Sequence, residues 1–130
     1  MADDSGGVVG DMLTNAGPRA RELASRALID TIVRHGRRVA QGEDVDTFLD
    51  AMQANASSGG GDILLRSDPR TVEALEEFLH GTQAAIGLFE RLSRHELERH
   101  VKGFMIRHSR LLGIAEEDII WLSRSREMDQ

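Results

Sequence analysis

The sequence contains no cysteine and no tyrosine, and only two prolines and one tryptophan in 130 residues. The absence of cysteine excludes a disulfide framework, a zinc ribbon and thiol chemistry. Aromatic residues make up 4%: Phe48, Phe78, Phe89, Phe104 and Trp121. A core built from this chain is therefore aliphatic. No run of about 18 apolar residues is present, so no segment reads as a membrane-spanning helix. The start, Met1-Ala2-Asp3-Asp4-Ser5, lacks the basic and apolar stretches of a signal peptide. A cytoplasmic location with no membrane partner is the expectation. An excess of positive charge is also missing: the net charge is −6, which argues against a general nucleic-acid coat.

What is there is charge in blocks, on a chain of single-domain length. Residues 1–42 carry six arginines against five acids, and residues 43–60 carry four acids and no base. Residues 93–113 carry five bases, two acids and three of the five histidines, and residues 114–130 return to five acids against two bases. Two basic blocks thus keep local anion binding open within an acidic total.

Periodicity predicts helices. Residues 1–17, with Gly6, Gly7 and Gly10, read as a flexible N-terminal tail. Pro18 suits the first turn of a helix over 18–41, with Leu28, Ile32 and Val39 on one arc and Arg19, Arg26, Arg34 and Arg37 on the other. A second helix is expected over 44–56, followed by Ser57-Ser58-Gly59-Gly60-Gly61, which reads as a long flexible Gly/Ser loop. Asp62–Arg66 reads as a short extended segment. Asp68-Pro69 opens a helix over 68–92, whose seam is Val72, Leu75, Leu79, Thr82, Ile86 and Phe89. Gly81 and Gly87 each cost that helix about 1 kcal/mol relative to alanine. Ser93-Arg94-His95-Glu96 is a capping box starting a helix over 93–112. Its seam is Leu97, Val101, Phe104, His108 and Leu111. A last helix spans 115–124. The fold expected is an all-α bundle of four to five helices over 18–130.

Several constellations compete for function. Glu77-Phe78-Leu79-His80 has the Glu-x-x-His spacing of di-iron bundles. The seam through Leu75 and Leu79 puts both residues on the outer face, so no metal site and no cofactor is expected. His95-Glu96-Leu97 and His100-Val101-Lys102-Gly103 approach two phosphotransfer signatures, but the first is not continued and the second is one residue short. Gly59-Gly60-Gly61 lacks the lysine of a P-loop. A recognition helix opening on Glu116-Glu117-Asp118 would meet phosphates with like charge. Arg94 and His100, five residues apart in between, resemble the Arg/His motif of HEPN-type ribonucleases. That resemblance implies a dimerising helical bundle in which the pair polarises phosphate and activates a 2′-hydroxyl.

The expectation drawn is a non-catalytic interaction module or self-assembling subunit, with a second copy or another protein as partner. Ile119-Ile120-Trp121-Leu122 supplies the interface, because a helix cannot bury four consecutive apolar residues against one partner face. The alternative is a nucleic-acid-binding or HEPN-like RNA-cleaving protein. Its contacts would be Arg19, Arg26, Arg34, Arg37, Arg94, Arg99, Lys102 and Arg107, on the basic helices 18–41 and 93–112. No catalytic residue is assigned.

Overall fold

The computed structural model describes residues 12–15 and 19–128, the former as a strand backbone. Within them the elements run β1 (Met12–Asn15), α1 (Arg26–Arg34), β2 (Arg38–Ala40), α2 (Glu43–Ala51), β3 (Ala54–Gly59), β4 (Asp62–Leu65), α3 (Thr71–Ala85), a 3-10 turn (Leu88–Glu90), α4 (Arg94–Arg107), α5 (Ser109–Leu112) and α6 (Glu116–Met128). The strands form one mixed sheet in the order β1-β3-β4-β2. β3 is antiparallel to both neighbours, while β2 runs parallel to β4. The expected all-α bundle is therefore corrected to a helix-rich α/β fold. Apart from 12–15, the tail expected over 1–17 lies outside the described residues.

The largest departure is at residues 54–61. The helix expected to reach Ala56 ends at Ala51, and the Gly/Ser loop is the strand β3 with a tight turn. Gly59 pairs with Asp62, leaving Gly60 and Gly61 as the two-residue connection to β4. Their φ angles, 59° and 86°, are both left-handed, as a type I′ hairpin requires. Alanine and serine are poor strand formers on propensity. β3 is nevertheless central: it is paired on both edges, α2 and α3 pack on it, and Ala54 through Ser58 are all buried. Small side chains allow that close approach, with Ala56 sharing a cluster with Ala74 of α3.

The helix expected over 18–41 is also divided. Residues 19–25 run beside the 69–71 segment, with Ala24 N–H donating to the Pro69 carbonyl at 2.8 Å and Thr71 N–H to Glu22 at 2.9 Å. The buried Asp118 carboxylate accepts the N–H groups of Arg21 and Glu22 at 2.7 and 3.1 Å. Those amides are thus spent on tertiary partners rather than on a helix. α1 begins after Ser25, whose Oγ accepts Leu28 N–H. Farther on, the seam expected over 93–112 holds at Leu97 and Val101, which are buried, but the chain breaks at His108, and Leu111 is 86% exposed.

α3 occupies the centre. Val72 and Leu75 join Val101, Met105, Ile114 and Leu122 in one apolar cluster. Ala74 and Phe78 join Ile29, Ile32, Ile63 and Leu65 in a second, against the sheet. With a cluster on either side, α3 has little solvent-facing surface, and its polar residues Glu73, Glu76, Glu77, His80 and Gln83 are buried too.

Candidate metal centre

Glu76, His80 and Gln83 fall on one face of α3 by their i, i+4 and i+7 spacing, and α4 brings Glu98 and Lys102 to the same place. This overturns the outer-face placement of Glu77 and His80: their exposures are 0% and 1%. The seam argument assumed one buried face, whereas α3 is buried against the sheet and against α4.

Gln83 sets the geometry of His80. Its Nε2 donates to the Leu97 carbonyl at 3.1 Å, which fixes the amide orientation and turns Oε1 towards His80 Nδ1 at 2.8 Å. Oε1 only accepts, so Nδ1 carries a proton and Nε2 is the atom presented to the cluster. Nε2 lies 3.3 Å from Glu98 Oε2, while Glu98 Oε1 lies 3.7 Å from the buried Lys102 ammonium. Glu76 Oε1 is buried without a hydrogen-bond partner. One donor atom each from Glu76, His80 and Glu98 lies within 4.8 Å of the others.

The electrostatics follow. Burial, with Glu98 adding to it, pushes the Glu76 carboxyl up to about 8. Burial acts to lower His80, but the contact and charge of Glu98, with Glu77 and Gln83, outweigh it and raise the imidazole to about 9. Burial acts to raise Glu98, but His80 and Lys102 outweigh it and hold the carboxyl below its usual range. At neutral pH the cluster therefore holds a charged His80–Glu98 pair and a protonated Glu76. Without an added cation these groups are a proton-sharing network. With one, they offer an imidazole nitrogen and two carboxylates, an imidazole already oriented by Gln83 in the way that histidine ligands usually are.

A pocket of about 350 Å³ adjoins the cluster, lined by Glu77, His80 and Gly81 of α3, Arg37, Phe89 and the hairpin residues Ser58 to Ile63. His80 belongs to both.

Of the residues singled out from sequence, Arg37, Glu77 and His80 meet at this pocket and Lys102 joins the cluster through Glu98, while the others are scattered. Arg19 is held by Glu73 at 2.7 Å and Asp68 at 3.1 Å. Arg26 faces Asp30 at 3.6 Å, and Arg34 donates to Thr31 Oγ1. Arg37 lines the pocket, Lys102 is buried beside Glu98, and Arg94 and Arg107 are exposed. The Arg99 carbonyl accepts from Arg126 Nε. Leu122 is fully buried, Ile119 and Trp121 pack on the core, and Ile120 is 51% exposed. His95 is exposed, and so is His100, whose Nδ1 meets Gln83 Nε2 at 2.9 Å. His108 is exposed beside the Phe104 ring. The four-stranded sheet departs from the all-helical bundle that the HEPN resemblance implies. Missed altogether were Glu76, Glu98 and Gln83. The available signal was a doubled spacing of four, Glu76 to His80 and Glu98 to Lys102.

Comparison with protein-family models, with curated proteins and with solved structures finds no match to this chain.

Proposed function

We propose that this chain binds a divalent first-row transition-metal ion, such as Zn²⁺, Mn²⁺ or Fe²⁺, through Glu76, His80 and Glu98. The observation that carries this reading is the buried convergence of three donor atoms within 4.8 Å of one another. An imidazole among the donors favours these ions over Mg²⁺ and Ca²⁺, which take oxygen ligands. The charge balance supports it: a divalent ion can replace the protons on His80 and Glu76 without changing the net charge of the cluster. Lys102 then keeps Glu98 Oε1 occupied and leaves Oε2 for the metal. Three protein donors leave a coordination position for water or substrate, the pattern of catalytic rather than closed structural centres. A cytoplasmic location fits this reading, and among the described residues no helix is long and apolar enough to cross a membrane.

The test is metal analysis of protein purified without chelator, followed by Co²⁺ titration of the stripped chain with visible absorption as readout. Wild type should bind one ion per chain with ligand-field bands, and His80→Ala and Glu98→Gln should lose both. Failure of folded wild type to bind any of these ions refutes the proposal. A second reading, self-association or docking to another protein, is favoured by two exposed apolar side chains on consecutive helices, Leu111 of α5 and Ile120 of α6.

A further inference from the structure

Arg37 stands between the end of α1 and the start of β2, its backbone N–H bonded to the Ile32 carbonyl. Its guanidinium lies 5.3 Å over the Phe78 ring, and His35, two residues before it, meets the same ring edge-on. The cation is therefore held in place by packing. Its Nε is buried with no hydrogen-bond partner, and among the described residues no carboxylate forms an ion pair with it. By contrast, the adjacent Arg38 is paired with Asp62. A buried N–H without an acceptor is costly, and an anionic acceptor beside it offsets that cost.

The helix makes room for this cation. A Cβ at Gly81 would sit 2.6 Å from Arg37 Nε and 3.2 Å from Cζ. A side chain at this position would displace the guanidinium from α3, so Gly81 permits the close approach. Arg37 and Gly81 both line the 350 Å³ pocket, with Phe89 as an apolar wall and the Gly59–Gly61 hairpin backbone along it. That size suits a small molecule. Glu77 and His80 line it as well, so the wall carries both signs, and the anionic end of a ligand is the end that meets Arg37.

We propose that Arg37 anchors the oxyanion group, a carboxylate or a phosphate, of a small molecule bound in the pocket between the β3–β4 hairpin and α3. A guanidinium matches both groups through paired N–H donors. The inference stands on Arg37 and Gly81 and needs no metal, so it is separable from the metal reading.

The test uses the full chain, chelator-treated and then dialysed. Inorganic phosphate and propionate are titrated separately, following the Arg37 Nε–H and the Gly60 and Gly61 amide resonances by NMR. Saturable shifts at these resonances are expected, with affinity lowered at least about tenfold in Arg37→Gln. A response to phosphate alone assigns a phosphoryl group, and a response to propionate alone assigns a carboxylate; either supports the site. Gly81→Ala favours the helix while pushing a methyl group into the guanidinium, and it should weaken binding in a chain whose fold is confirmed by circular dichroism. Should Arg37→Gln not fold, Gly81→Ala decides the matter on the same terms. No saturable shift with either probe, or undiminished affinity in the folded variants, overturns the proposal.

Discussion

Glu76 is a carboxyl group that the fold keeps out of water, at 1% exposure, with its pKa moved from 4.5 to about 8. An acid raised on folding disfavours the folded state once the unfolded chain would ionise it. That cost is absent below pH 4.5, grows as the pH rises towards about 8, and is constant above. In metal-free protein, Glu76→Gln should therefore be about as stable as wild type in acid and more stable at alkaline pH, by roughly a few kcal/mol. Urea unfolding at both ends of the range measures this, and an equal difference at the two ends would contradict it. The same variant should lose Co²⁺ binding, so stability and metal affinity move in opposite directions. Such opposition is expected where a costly residue is kept for chemistry. The donors of this site were legible only as spacing. Sequence periodicity locates one apolar seam, and it cannot show that the sheet and α4 leave α3 with little solvent-facing surface.

At the scale of elements, the start of α4 was fully legible, because a capping box is a local interaction. Ser93 Oγ accepts Glu96 N–H at 3.2 Å, and Glu96 Oε1 accepts Ser93 N–H at 2.8 Å. Ser93→Ala should cost about 1 kcal/mol by urea unfolding. The Ser93 backbone and hydroxyl hold Glu96 below its usual carboxyl range. A depressed folded pKa means that the contribution is present above the unfolded value and lost as the pH falls through the folded one. The stability gap between wild type and Glu96→Gln should accordingly close in acid, and a gap that widens there would contradict the assignment. β3 was illegible for the opposite reason. Ala54-Asn55-Ala56-Ser57-Ser58 alternates only as far as Ser57 and with side chains of weak strand propensity, both of its faces are buried, and much of its stability comes from β1 and from helices α2 and α3 that pack on it. Its turn is testable locally. Gly60→Asn should be tolerated, since asparagine accepts a φ of 59°, whereas Gly61→Val at 86° should cost about 1–2 kcal/mol. Equal effects of the two changes would exclude a type I′ turn.

At the scale of the molecule, two apolar clusters meet across α3, one between helices and one on the sheet. Periodicity read the helical cluster in part: Val72 and Leu75 of α3 and Val101 of α4 lie in it, whereas Ile86 and Leu111 of the same expected seams are exposed and no seam was read in α6. The sheet cluster depends on pairings between β2, β3 and β4, of which only the β3–β4 hairpin has a short-range signal, its Gly60-Gly61 turn. The run Ile119–Leu122 shows how this changes a functional reading. Four consecutive apolar residues looked like surplus for a partner, yet α6 is covered on more than one side, and only Ile120 is largely exposed. Leu122, fully buried beside Val101 and Met105, should cost about 2–5 kcal/mol when changed to alanine. Trp121 packs on the same cluster, so Trp121→Ala should destabilise the protomer rather than act on assembly alone. Ile120→Ser should leave the free energy of unfolding within about 0.5 kcal/mol of wild type, as surface substitutions usually do. Sedimentation equilibrium of Ile120→Ser and Leu111→Ser then separates packing from partnership. If the chain self-associates through this face, both variants should shift it towards monomer at unchanged stability. Association that survives both changes would place the interface elsewhere, and a monomeric wild type would leave Ile120 and Leu111 without a self-partner.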